Sequence, residues 1–211
     1  VGAMCAVGTL NAAPGGFATL YLKLVNFLLA GVWLVMDHVD RRAWDYPLTR
    51  AKYALVLILA PLLAAEALAL VSYLRGLDAD VITSCCGSLF SVDAEGVAAD
   101  LAALPPAPTM AAFYGVVAAT VALGLHYAWR RRGAAWFALA SAAAFVTAIA
   151  AVVSFISLYI YEHPHHHCPF DVIQGAYGHV GYALYVPLFA ATVLGLGLGA
   201  VHPFRGAPGL A

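Results

Sequence analysis

The chain has 211 residues, of which 64% are hydrophobic and only 10% charged, with a net charge of −1 and a mean hydropathy of +0.87. Soluble domains carry roughly 45 to 50% apolar residues, and the few charges here are too few to cover a water-exposed surface of this size. The composition excludes a soluble domain, the near-neutral balance gives no electrostatic footprint for nucleic acid, and the lipid bilayer is the expected solvent for most of the chain.

Residues 1–16 are small and turn-prone, end in Pro14-Gly15-Gly16 and read as a short tail. No charged region precedes the first apolar run and no small-residue cleavage pattern follows a short one, so no signal peptide is expected. Residues 17–36 carry one charge, Lys23, and are long enough to cross the hydrocarbon at about 1.5 Å per residue. Residues 37–52 read as a polar loop with Arg41, Arg42, Arg50 and Lys52, and with Trp44 and Tyr46 suited to headgroup depth. Residues 53–74 form the second span, interrupted by Pro61 and Glu66.

Residues 75–109 are the longest stretch outside the spans. They hold Ser84-Cys85-Cys86-Gly87 near the start and Pro105-Pro106-Ala107-Pro108 at the end. Between these, 92–104 alternates acids with Ala, Val and Leu and suggests a short surface helix. Residues 110–129 are the third span, closed by Arg130-Arg131-Arg132. Residues 134–161 are the fourth, long enough to tilt or to project from the bilayer. Residues 178–201 are the fifth, with Pro187 as an expected kink and Gly195, Gly197 and Gly199 as a close-packing face. The expected fold is therefore all-α: one polytopic membrane domain over residues 1–211, a bundle of five transmembrane helices with two extracytoplasmic loops.

Five spans put the termini on opposite sides. Eight of the 10 basic residues, Arg41, Arg42, Arg50, Lys52, Arg130, Arg131, Arg132 and Arg205, fall on one of them. By the positive-inside rule that side is cytoplasmic, and the expected location is the cytoplasmic (inner) membrane with the N-terminus outside. All four cysteines, Cys5, Cys85, Cys86 and Cys168, then face an oxidising compartment in which disulfides are permitted.

The loop between the last two spans, Tyr161 to Tyr177, is the densest stretch of metal-ligand chemistry. It contains Glu162, His163, His165, His166, His167, Cys168 and Asp171, with Pro164 and Pro169 bracketing the cluster. Imidazole and thiolate suit borderline and soft metals. Successive side chains diverge, so two or three of the histidines are expected to ligate rather than all four. The expected ligands are Cys85, Cys86, His163, His165, His166, His167 and Cys168, with His179, Glu162 and Asp171 as further ligands or supports. The competing reading is a solvated polar loop tied by one disulfide. A disulfide between neighbouring cysteines closes a strained ring. Cys85 and Cys86 therefore need other partners: Cys168 or Cys5, or a shared soft ion such as copper(I).

Lys23 and Glu66 lie at similar depths on the first two spans, with Asn26 one turn from Lys23. They read as an ion pair joining two helices or as part of an ion or proton path. His38, His126 and His202 fall at the cytoplasmic level of three spans. They read as helix-end histidines, or as axial ligands for a haem b held between helices. Tyr159, Tyr161, Tyr177, Tyr182 and Tyr185 gather around the outer loop, first as an aromatic belt and second as hydrogen-bond or redox partners.

No Gly-rich phosphate loop, Ser/His/Asp set or Walker-type lysine is present, so hydrolysis and ATP-driven work have no support. Three functions remain. The first is an extracytoplasmic Cys/His site for copper, or zinc, used in metal handling or electron transfer with an extracytoplasmic exchange protein. The second is a thiol-disulfide oxidoreductase linked to membrane quinone, although the usual Cys-x-x-Cys is absent. The third is a haem-b subunit of a larger membrane complex.

Overall fold

The computed structural model describes residues 2–3, 6–78, 82–83, 97–163 and 166–210. Cys5, Cys85, Cys86 and His165 lie outside the described residues. The protein is helical almost throughout. Its helices are α1 (Ala6–Asn11), α2 (Gly16–Asp40), α3 (Thr49–Arg75), α4 (Val97–Ala102), α5 (Pro106–Arg130), α6 (Ala134–Tyr161) and α7 (Val180–Val201). A parallel pairing of β1 (Gly2–Ala3) with β2 (Ile82–Thr83) is the only extended pairing among the described residues. Five helices, α2, α3, α5, α6 and α7, are long and apolar enough to cross a bilayer. This is a multi-pass helical membrane protein.

Several boundaries differ from those expected, each for a physical reason. Residues 6–11 are not tail but helix, and α1 is held to the end of α3 by the Tyr73 hydroxyl, which donates to the Thr9 carbonyl at 2.7 Å. The residues expected as loop from Asp37 onward continue α2 to Asp40, and α3 starts at Thr49 rather than at Tyr53. Both extensions are made by one ionic knot. Lys52 Nζ lies 2.8 Å from Asp37 and 2.8 Å from Asp40, and Asp40 accepts the Leu48 backbone N–H at 2.7 Å. Charges expected to sit in water are thereby neutralised inside the structure. In the stretch expected to form a surface helix, α4 is present over Val97–Ala102. Pro61 and Pro187 both lie within continuous helices.

The spanning helices pack in the order α3, α2, α7, α6, α5, each against its neighbours in that row. No comparable interface joins the two edge helices, so the five-helix bundle is an open row. α3 and α5 follow one another in sequence yet stand at opposite edges. α5 has no buried residue and α3 has only Leu59 and Tyr73, because their outer faces meet lipid, where apolar side chains need no protein cover.

Glycine positions the central helices. A Cβ at Gly195 would strike Ser141 of α6. One at Gly199 would come within 2.5 Å of the Ala138 Cβ, and one at Gly197 within 2.7 Å of Val35 on α2. Gly195 and Gly199 thus face α6, while Gly197 faces α2, so small residues let one helix approach two neighbours closely.

Each end of the row has its own chemistry. At the arginine end, Leu48 is fully buried against Val32 and Met36, with Phe204 and Leu210 of the C-terminal tail packed on them. There Arg205 donates to the Arg131 carbonyl at 2.6 Å. At the opposite, histidine end lie α1, α4, the segment leading to α5 and the loop between α6 and α7.

Candidate functional site

α6 is not uniformly α-helical. Val152–Ile156 form a π-turn, in which the Ser157 N–H reaches back five residues to the Val152 carbonyl. Such a turn displaces carbonyls from the regular ladder and often marks a functional position. Here the Val153 carbonyl accepts the His167 ring Nδ1–H at 2.8 Å and the Ser157 hydroxyl at 3.3 Å. Beside it the Ser154 hydroxyl donates to the Leu104 carbonyl at 3.0 Å. The turn therefore anchors the His-rich loop and the residues before α5 to the same point of α6.

Two tyrosines hold the loop further. Tyr161, the last residue of α6, donates its hydroxyl to the Cys168 carbonyl at 2.6 Å. Tyr185, in the second turn of α7, donates to the Pro169 carbonyl. The Tyr161 ring also stacks on His166, with centroids 4.1 Å apart, and meets Tyr177 edge-on at 4.5 Å. Of the five tyrosines around this loop, Tyr161 and Tyr185 are the hydrogen-bond partners, while Tyr159 is 88% exposed and suits the membrane interface.

Between these supports one donor from each of His166, Cys168 and Asp171 comes together, all three within 4.8 Å of one another. Cys168 is completely buried and Asp171 nearly so. The short helical turn Asp171–Ile173 presents the carboxylate. Its Oδ2 accepts the His166 Nε2–H at 2.9 Å, and its Oδ1 accepts the Gln174 amide at 2.9 Å. A carboxylate bonded to one ring nitrogen is the arrangement that orients a metal-binding histidine through its other nitrogen.

The other expected ligands fall differently. His167 is turned to Val153, with Nδ1 committed to that carbonyl. His179 begins α7 with a left-handed backbone and gives its Nδ1–H to the Ile173 carbonyl at 2.8 Å. Glu162 and His163 are exposed at the loop entrance. Gln174 and the π-turn escaped the sequence reading. A single amide carries no pattern, and a π-turn in an unbroken apolar run has no periodic signal.

Elsewhere, Lys23 Nζ pairs with Glu66 Oε1 at 2.8 Å and the Asn26 amide donates to Glu66 Oε2 at 2.8 Å. The three candidate haem ligands have separate surroundings. His202 meets Tyr127 edge-on at 5.6 Å, His126 is exposed, and His38 opens onto an apolar groove of about 1070 Å³ between α2 and α7. Because α7 and α6 stand between α2 and α5 in the row, His38 and His126 do not face each other across one interface.

In comparisons with known proteins, no family model, curated protein or solved structure matches this chain. The class is therefore carried by fold and site alone: a five-span helical membrane protein with a partly buried His/Cys/Asp group at one end of the helix row.

Proposed function

We propose that the loop between α6 and α7 binds a divalent transition-metal ion and presents it at the outer membrane surface to an exchange partner. The observation that carries the proposal is the convergence of His166, Cys168 and Asp171 donors within 4.8 Å on a loop fastened by Tyr161, Tyr185 and His167. Tetrahedral ligands at about 2.0 to 2.3 Å from a shared ion stand about 3.3 to 3.8 Å apart, so the group draws together, and the His166–Asp171 bond rearranges, when an ion enters.

Charge and donor type choose the ion. A thiolate and a carboxylate bring two negative charges into a buried group, which is costly unless balanced. A divalent cation neutralises both and a monovalent one leaves a charge over. One nitrogen, one sulfur and one oxygen form a borderline set, matching zinc better than copper(I), which favours sulfur. Zinc is thus the first occupant. Copper takes that place if the Cys85 and Cys86 thiolates join the site. Asp171 orients His166 or ligates directly, and exposed His163 at the loop entrance is a further donor in reach of an arriving ion.

The eight basic residues at the arginine end support an orientation with that end in the cytoplasm and the metal loop outside, in the cytoplasmic membrane. Thiol exchange through Cys168 is less favoured, because an incoming disulfide must reach the attacking sulfur and Cys168 is fully buried. Equilibrium dialysis of the detergent-purified chain against zinc and against copper tests the proposal. About one equivalent of ion should be retained by the wild type and lost in Cys168→Ser. Retention of neither metal by the wild type, or full retention by Cys168→Ser, overturns it.

A further inference from the structure

The α2–α3 interface is polar along one line. Thr19, Lys23, Asn26, Trp33, Asp37 and Asp40 follow one another at intervals of four, three, seven, four and three residues, which places them on one face of α2. On α3, Lys52 and Glu66 are fourteen residues apart with Leu59 midway, also one face. The two faces meet at both ends. Glu66 holds Lys23 and Asn26 near the histidine end. Lys52 holds Asp37 and Asp40 near the arginine end, where Arg41 adds a 2.7 Å pair to Asp37. From Lys23 to Arg41 the helix rises about 27 Å, most of a hydrocarbon core of about 30 Å.

Two buried polar atoms stand between these ionic clusters with no hydrogen-bond partner among the described residues: Asn26 Oδ1, an acceptor, and Trp33 Nε1, a donor. Asn26 is only 4% exposed. Buried polar groups are almost always bonded, and within lipid depth the cost of leaving them unbonded is greatest. Seven residues of helix separate the two by about 10 Å along the axis. About three waters, linked by hydrogen bonds of about 2.8 Å, cover that distance and satisfy both atoms.

We propose that this seam is a transmembrane proton path. Glu66 is the proton-exchanging group of the histidine-end half, Asp37 and Asp40 are those of the arginine-end half, and water held between Asn26 and Trp33 joins them. A proton enters from water at one surface and leaves to water at the other, with no bond made or broken in the protein beyond O–H exchange. The other ionisable groups on the seam are Lys23, Arg41, Lys52 and Tyr73, whose hydroxyl is bonded to Thr9. The path is independent of the metal loop.

The test uses the full chain reconstituted in liposomes with an entrapped pH dye and a potassium diffusion potential set by valinomycin. Wild type should move protons at least ten times faster than protein-free liposomes. Trp33→Phe keeps the ring's apolar contacts and removes only the donor side, and should lower the flux at least five-fold with unchanged helicity and yield. Glu66→Gln should lower it further. Wild-type flux no greater than that of empty liposomes overturns the proposal, and so does wild-type flux in a normally reconstituted Trp33→Phe. Trp33→Phe keeps the proposal falsifiable if Glu66→Gln fails to fold.

Discussion

The His167 ring donates its Nδ1–H to the Val153 carbonyl at 2.8 Å, tying a loop of irregular backbone to the one π-turn of α6. That bond converts a flexible polar loop into a positioned one. The cost of ordering a ligand set is met when the protein folds rather than when an ion arrives. Because His167 acts through the loop, its removal should weaken metal binding without removing a ligand. In His167→Ala, zinc stoichiometry should stay near one per chain while affinity falls by about tenfold or more, in line with the loss of an outer-shell partner. Calorimetric titration separates this from loss of a ligand, which would lower the stoichiometry.

Tyr161→Phe removes a hydroxyl bonded to the Cys168 carbonyl and keeps the ring stacked on His166. The expected loss is about 1 kcal/mol, that of one hydrogen bond, read as a lower thermal midpoint in detergent. An equal midpoint in wild type and variant would remove the clamp from the account.

Gly195→Val forces a side chain into Ser141 across the α6–α7 interface. Overpacking of this kind costs about 1 to 3 kcal/mol, and a lower melting midpoint or reduced monodisperse yield should show it. Gly115 of α5 has nothing within 4 Å of its added Cβ. Gly115→Ala should therefore be neutral, or stabilising by up to about 1 kcal/mol from helix propensity.

Lys52→Met leaves Asp37 and the fully buried Asp40 without their shared cation. Removing one side of a buried ionic cluster is more damaging than replacing all of it. The single variant should lose more stability than Lys52→Met combined with Asp37→Asn and Asp40→Asn, measured by thermal unfolding.

The spans were legible because twenty-residue apolar runs have few alternatives, and close packing at Gly195, Gly197 and Gly199 was legible because small residues recur, although they face two neighbouring helices rather than the one face expected. Charge misled at the arginine end. Asp37 and Lys52 look like loop residues until their pairing across fifteen residues is seen. The row order was hidden, since helices apolar on every side carry no signal for which side meets protein. At the site, the density of histidines drew attention to the loop where His166, Cys168 and Asp171 come together and left open which of the histidines converge. That choice rests on Asp171 and Gln174 orienting His166, and on Val153 drawing His167 away, contacts made by fold rather than by spacing.

X-ray absorption at the zinc edge of the purified, zinc-loaded protein probes the proposed metal centre most directly. One sulfur neighbour at about 2.3 Å, with nitrogen or oxygen neighbours at about 2.0 to 2.1 Å, is the predicted shell, and Cys168→Ser should abolish the sulfur contribution. A shell of light atoms alone in the wild type, or a sulfur signal that survives Cys168→Ser, would contradict the assignment of the ion to the His166, Cys168 and Asp171 group.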